Sequence, residues 1–346
     1  MSSSESNISD LRTSHRGIIA IISMGDMGAG IAKLLTAHNY AVLTNVTDRS
    51  EDTISRAISA SATLVASDSL LLQADLILSI VPPASALSTA QRILSAFTPS
   101  SSSQIQPPTY IDLNAVSPST SRQIASLFSS HPSRISFLDG AILGHPPRLS
   151  PSTPTQSKKW AVPLLPLSGP ALPSALTPEL RSLLNTKYLG PEVGKASGLK
   201  MVFASLSKGY AAIAVQAVTT AHNLGVLDEL KSSLVEIQGA GADQKLERAV
   251  AGLAPKAGRW VKEMQEIAST HENDGGLEPD IFLGAAEVFR TVAEDTVLGQ
   301  EKIGKSKRGT NAEDVAVAVA EGLAERKRKR AEKKEEGGNQ TKSGDY

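Results

Sequence analysis

Ile18-Ile19-Ala20-Ile21-Ile22-Ser23-Met24-Gly25-Asp26-Met27-Gly28-Ala29-Gly30-Ile31-Ala32-Lys33-Leu34-Leu35 runs from an apolar block through a short turn into a segment with apolar residues at Ile31, Leu34 and Leu35. The block reads as a buried parallel strand and the later segment as a helix packed on it. A strand–turn–helix of this kind is where a dinucleotide pyrophosphate sits. Small residues let the backbone approach, and the helix start presents unpaired N–H groups and the positive end of its dipole. Against the pattern G-x-G-x-x-G, Gly25 and Gly28 hold the second and third places and Ser23 stands in the first. An ordinary tight turn between a strand and a helix fits the incomplete pattern as well.

Outward from this turn strands and helices alternate, which predicts a parallel sheet covered on both faces. Strands are expected at 41–44, 63–66, 74–81, 109–113 and 135–139, and helices at 50–60 and 118–129. The last strands fall at 161–167 and 186–189. The Ser/Pro-rich stretch 99–108 reads as a mobile surface loop, and the proline-rich stretch 144–159 as an irregular segment over the crevice at the strand ends. From Gly194 onward the pattern is helical. The expected organisation is a disordered lead-in (1–16), a dinucleotide-binding domain (17–193), a helical C-terminal domain (194–325) and a disordered charged tail (326–346). In class this is α/β: a Rossmann-type doubly wound parallel sheet followed by an all-α domain.

A chain of 346 residues with 40% hydrophobic and 20% charged residues suits two globular domains. Its 35 basic and 35 acidic side chains cancel, so no global charge attracts nucleic acid or an acidic membrane. The absence of cysteine excludes disulfides, thiolate catalysis and cysteine-ligated metals. His15, His38, His131, His145, His222 and His271 show no ligand spacing, so no metal is expected. No apolar run approaches the roughly 20 residues that span a bilayer. The segment Met1-Ser2-Ser3-Ser4-Glu5-Ser6 has no apolar stretch of a secretory signal. A cytoplasmic location is the expectation. The basic run Arg326-Lys327-Arg328-Lys329-Arg330 reads as a solvated extension, with a nucleic-acid contact or nuclear signal as the other reading.

The helix beginning near Lys195 is apolar nearly all round, with Leu199, Met201, Val202, Phe203, Leu206, Tyr210, Ile213, Val215 and Val218, and is expected to be buried. Lys200 stands out in it. A lysine in such surroundings snorkels, pairs or lines a polar cavity. Lys208 lies about 80° round the helix from it by the 3.6-residue period and is expected to tolerate alanine.

The turn Gly25-Asp26-Met27-Gly28, the strand end Val81-Pro82-Pro83, Asp112-Leu113-Asn114, Asp139-Gly140-Ala141 and the helix start Gly194…Lys200 occur in this order. In this the chain resembles the β-hydroxyacid dehydrogenase superfamily. The block Ala257-Gly258-Arg259-Trp260-Val261-Lys262-Glu263-Met264-Gln265-Glu266-Ile267-Ala268 is similar to the helical C-terminal domain of its 6-phosphogluconate dehydrogenase-like branch. The resemblance implies that Gly25, Asp26, Met27 and Gly28 surround the pyrophosphate, with Ser23 and Met24 also among the cofactor-binding residues. It implies that Val81, Pro82 and Pro83 pack beside the nicotinamide ribose. Lys200 matches the family lysine that takes the substrate hydroxyl proton while hydride leaves the same carbon. For that task its pKa must fall from about 10.4 toward neutrality, helped by an apolar wall of Met201 and Phe203.

Three departures shape the substrate expectation. Ser23 replaces a glycine, Asn114 stands where many members bind the substrate carboxylate with a serine, and Leu143-Gly144-His145 replaces a Ser-Gly-Gly loop. The third departure includes Phe203-Ala204, which stands where an asparagine normally follows the lysine. A pocket with Leu143 and Phe203 leaves the polar groups of a sugar phosphate unpaired, at about 1–3 kcal/mol each. A less polar alcohol, carbonyl or imine is the expected small-molecule substrate, contacted by Asn114, Leu143, Gly144 and Phe203. After the second strand, Asn45-Val46-Thr47-Asp48-Arg49-Ser50 has no acid at the strand end, and Arg49 suits a 2′-phosphate. NADP is therefore the expected cofactor, with NAD the other reading and Asn45 and Arg49 its contacts. The expected function is an NAD(P)-dependent oxidoreductase with a lysine acid/base. The alternative is a catalytically inactive NADP-binding sensor or scaffold. Family members bury the long helix between C-terminal domains, which implies a homodimer.

Overall fold

The structure, a computed structural model, describes residues 3–97, 106–150, 159–302 and 304–340, without the side chains of 3–7 and 333–340. Most of the expected loop at 99–108 and the end of the charged tail lie outside the described residues. The chain forms two units, Met1–Met201 and Val202–Tyr346.

The first unit opens with helix α1 (Ser3–Ser14) and is built on one sheet. Its strands are β1 (Ile18–Ile22), β2 (Ala41–Thr44), β3 (Thr63–Leu64), β4 (Leu76–Ser79), β5 (Thr109–Asp112), β6 (Ser136–Gly140), β9 (Leu165–Ser168) and β10 (Thr186–Tyr188). They lie in the order β3-β2-β1-β4-β5-β6-β9-β10. Strand β1 is apolar throughout because both faces are covered. Ile19 and Ile21 pack with Ile31, Leu34 and Leu35 of α2 (Asp26–Thr36), Ala57 of α3 (Glu51–Ser59) and Leu180 of α7 (Pro178–Leu183). Ile18, Ala20 and Ile22 pack on the other side with Ile93 of α5 (Ala86–Ser95) and Ile124 and Phe128 of α6 (Pro118–Ser130). This is the expected doubly wound arrangement.

Two expectations change. The sheet is not wholly parallel, because β9 runs antiparallel to β6. Between them the chain turns back through the ribbon of β7 (Arg148–Leu149) and β8 (Trp160–Ala161) and the Leu143–Leu164 bridge. A hairpin-like return delivers an antiparallel strand, whereas a parallel one needs a crossover. Pro163, which has no N–H, separates β8 from β9 inside the expected strand 161–167. The lead-in expected to be disordered is helical. Ile8 is 3% exposed in the core, and Arg12 pairs with Asp75 at 2.6 Å and donates to the Gln73 carbonyl. Two apolar residues, Ile8 and the partly buried Leu11, are too few in a polar segment to carry a periodic signal.

Helix α8 (Lys195–Leu224) spans the division between the units, and the second unit continues with α9 (Leu227–Gln238), α10 (Ala242–Val250), α11 (Ala257–Asn273), α12 (Asp280–Glu294) and α13 (Ala312–Gln340). In the second unit α11 and α12 pack closely, with Trp260 edge-on to Phe289 at 5.1 Å. Helix α8 is not buried all round: Leu206 is 79% and Ile213 61% exposed. By length and composition it is also long and apolar enough to cross a membrane, contrary to the sequence reading, and half of its most apolar window is buried inside the structure. The charged tail is helical through Gln340. Arg326 pairs with Asp295 at 2.7 Å, and Arg328 and Lys329 pair with Glu325 one turn back, the spacing at which opposite charges support a helix.

Candidate functional site

Strand order reverses between β1 and β4, with β2 and β3 on one side and β5 and β6 on the other. Connections leaving the C-terminal ends of such a pair diverge and open a crevice, the position where doubly wound sheets bind ligands. Ser79 of β4 lies in register with Ile22, and the Ile80 amide donates to the Ile22 carbonyl at 3.2 Å. Ser23-Met24-Gly25 and Val81-Pro82 are therefore neighbours at this end of the sheet.

Ser23 has φ +77°, a conformation that glycine adopts freely and serine does not. The turn keeps the shape of the glycine pattern even though the first glycine is missing. Gly28 is required by the fold: a Cβ there would stand 2.1 Å from the Ser23 carbonyl oxygen. Gly25 differs, because a Cβ at that position meets nothing within 4 Å. Its hydrogen leaves open space at the start of α2, where the first amides have no intrahelical acceptor and the N-cap glycine offers no side chain to cap them. This geometry fits a pyrophosphate. Met24 is buried, Met27 packs against the core, and Asp26 is exposed in the first turn, where a carboxylate complements the dipole.

Arg56 of α3, unnoticed in the sequence, fixes the turn from behind. Its Nε donates to the Met24 carbonyl at 2.8 Å and its guanidinium also reaches the Thr53 hydroxyl at 3.1 Å. Nothing in the local sequence marks this contact, which depends on how α3 packs. Past β2, Asn45 donates to Asp68 at 2.8 Å and accepts from the Thr47 amide, so its side chain is engaged within the protein. Arg49 is exposed and makes no ion pair among the described residues, with Asp48 or with Asp52.

At the end of β4, Asn114 uses both ends of its amide. Its Oδ1 accepts from the Val81 amide at 2.7 Å and its Nδ2 donates to the Ser79 hydroxyl at 3.1 Å. Asn114 is thus a buried brace for the Val81 segment. Pro82 is exposed and Pro83 buried at the head of a short turn into α5. Asp112, in register with Asp139 across β5 and β6, accepts from the Asn114 amide at 2.8 Å. Burial, and then the charge of Asp139, push its pKa up to about 7 against that hydrogen bond.

Asp139 anchors the start of α8. One oxygen accepts from the amides of Gly194, Ala196 and Ser197 at 2.9–3.2 Å and from the Ser168 hydroxyl at 2.8 Å. The other accepts from Ser121 at 2.8 Å. A carboxylate at a helix start is favoured by the dipole and the unpaired amides. An aspartate inside the apolar run Phe137-Leu138-Asp139-Gly140-Ala141 was the signal for it. From this anchored turn Lys200, half-buried, donates from Nζ to the Ile142 carbonyl at 2.8 Å, just beyond β6. The Leu143 backbone is taken up by Leu164, and Gly144 is exposed with φ +134°. Met201 is fully buried and Phe203 is exposed.

Comparisons with known proteins agree with this architecture. Residues 18–104 match the family described as NADP oxidoreductase, coenzyme F420-dependent, and residues 221–292 match a domain of unknown function, DUF1932. An uncharacterised 28.5 kDa protein of Methanothermus fervidus is 26% identical over 198 residues, 57% of this chain and 68% of its own. A solved conserved protein of unknown function, described as structurally similar to 3-hydroxyacid dehydrogenases, is 25% identical, with TM-score 0.54, covering 80% of this chain and 97% of its own. The 3-hydroxyisobutyrate dehydrogenase of Mycobacterium tuberculosis, solved with L-serine, is 15% identical with TM-score 0.57, covering 88% and 98%. The fold is that of the hydroxyacid dehydrogenases, and the resemblance read from the sequence holds.

Proposed function

We propose that this chain of hydroxyacid-dehydrogenase fold is an NADP(H)-dependent oxidoreductase acting on a small alcohol, carbonyl or imine, with Lys200 as the proton-transferring group. The observation that carries the reading is the turn after β1, glycine-like at Ser23 and open at Gly25, at the switch point of the sheet. A nicotinamide dinucleotide held there supplies hydride transfer. The first amides of α2 bind the pyrophosphate, Arg49 meets the 2′-phosphate, and Val81 and Pro82, braced by Asn114, line the place of the nicotinamide ribose. Lys200, aimed by the Ile142 carbonyl, takes the proton in the oxidative direction and returns it in the reductive one, for which its amine must be neutral at the start of oxidation. Leu143 and the internally bonded Asn114 leave few groups for a highly polar substrate, which favours a less polar one.

Calorimetric titration of NADPH and NADH tests the reading. NADPH should bind more than tenfold tighter, and Arg49→Ala should remove that preference, since a charge-assisted contact is worth about 1.5–3 kcal/mol. Gly25→Ala should lose cofactor affinity at an unchanged melting temperature, whereas Gly28→Ala should lower the melting temperature. Equal affinities for the two cofactors would refute the NADP assignment, and full binding by Gly25→Ala would refute the site. The sensor alternative predicts tight binding with no turnover of any carbonyl or imine.

A further inference from the structure

The turn after β1 contains a peptide that its own sequence leaves free to point two ways. Gly25, the N-cap of α2, has φ −67° and ψ −177°. A trans peptide is a rigid plane whose C=O and N–H point in opposite directions. It turns over by rotating ψ of the residue before it and φ of the residue after it. Turning over the Met24–Gly25 peptide would take Gly25 to a positive φ, a region closed to most residues and open to glycine. A Cβ at Gly25 would meet nothing within 4 Å. Neither backbone preference nor a packed side chain at Gly25 therefore selects one orientation.

Helix α3 makes the choice. Arg56 Nε donates to the Met24 carbonyl at 2.8 Å. Its Nη2 donates at 3.1 Å to the Thr53 hydroxyl, one turn back on the same helix. Thr53 in turn lies 3.1 Å from the Ser50 hydroxyl at the N-cap of α3. Bonded at two points, the planar guanidinium presents Nε in a fixed direction. Met24 is wholly buried, so no solvent replaces Arg56 at its carbonyl. With that C=O drawn toward α3, the Gly25 N–H points away from α3 and finds no acceptor among the described residues.

We infer that Arg56 is a positioning residue of the cofactor site: it locks the Met24–Gly25 peptide so that the Gly25 N–H faces the pyrophosphate and the Met24 carbonyl does not. The inference rests on the reading of this turn as a dinucleotide site, and adds to it a residue that acts through the backbone. In the flipped peptide the negative end of a carbonyl dipole would face the phosphate oxygens, replacing attraction by repulsion. The cost of losing Arg56 therefore falls on the pyrophosphate, which NADPH and NADH share, and not on the 2′-phosphate that separates them.

Calorimetric titration of NADPH and NADH into wild type, Arg56→Ala and Thr53→Val tests it, with a melting temperature for each protein. Thr53→Val keeps the shape of a half-buried residue and removes the hydroxyl that steadies the guanidinium. Arg56→Ala should bind both cofactors about tenfold or more weakly, with the preference between them unchanged. Thr53→Val should weaken both several-fold at an unchanged melting temperature. A folded Arg56→Ala that binds both cofactors as tightly as the wild type overturns the inference. So does a loss confined to NADPH, which would make Arg56 a direct contact of the 2′-phosphate. If Arg56→Ala does not fold, Thr53→Val decides, and unchanged affinities in it overturn the inference. All three results leave the cofactor reading standing. A wild type that binds neither NADPH nor NADH overturns that reading and this inference with it.

Discussion

Lys200 donates to the Ile142 carbonyl, a contact that arginine can also make. Lys200→Arg is therefore the informative substitution: it keeps charge and hydrogen bond but cannot give up its proton. Turnover should fall by about 10²–10⁴-fold in Lys200→Ala and almost as far in Lys200→Arg, with cofactor affinity and melting temperature little changed. An arginine variant with full turnover would remove Lys200 from the proposed chemistry. Asp112 offers a prediction of a different kind. Its folded-state pKa of about 7 lies above the ordinary 3.8, so in this window the folded protein keeps a proton that the unfolded chain has released. Stability should therefore fall as pH rises from about 4 to 7 and level off above. Asp112→Asn stays neutral and keeps an acceptor for the Asn114 amide. Its melting temperature should exceed that of the wild type at about pH 8 and not at about pH 4. The same difference at both pH values would count against the assignment.

Helix periodicity placed Lys208 off the Lys200 direction and made it a harmless position; packing of α8 against α11 makes it the partner of a buried glutamate. Lys208→Ala leaves Glu263 with the half-exposed Arg259 as its one remaining ion-pair partner among the described residues. It should cost about 3–5 kcal/mol in chemical denaturation, the penalty of a buried charge left without its partner. Replacing both residues by apolar ones, Lys208→Met with Glu263→Leu, should recover much of the loss. A Lys208→Ala protein as stable as the wild type would mean that the pair is worth little. At the same scale, α3 braces the glycine turn through Arg56, and Asp139 at the end of β6 fixes the first turn of α8. Both candidate functional segments are thus held by elements distant in sequence.

At the scale of the molecule, one side of α8 remains open. Val202, Phe203, Leu206 and Ile213 are all exposed and recur at helical spacing. Scattered exposed apolar residues need no explanation, but a continuous apolar stripe marks an interaction surface. We propose that a second copy of the chain covers it, in an obligate interface of more than about 2,000 Å². Light scattering at low micromolar concentration should give the mass of a dimer or a larger even assembly, and Leu206→Asp with Ile213→Asp should give a monomer. A wild-type monomer at that concentration would refute the assembly.

By itself the sequence determined the doubly wound sheet, the change to an all-helical second half and the position of the turn after β1. Those features rest on local patterns: continuous apolar runs of strand length, glycines at fixed offsets, and helical periodicity. The tertiary structure alone decided the antiparallel β9, since strand direction depends on the path of the chain between strands. It alone turned the lead-in and the charged tail into helices, through Ile8 in the core and Arg326 on Asp295. The sequence placed Asn114, Lys200 and Lys208 but not what they touch. Asn114 is bound to β4, Lys200 to the carbonyl after β6 and Lys208 to Glu263. Each of these partners lies more than thirty residues away, and a hydrogen bond or ion pair over that separation exists only once packing has brought its two ends together.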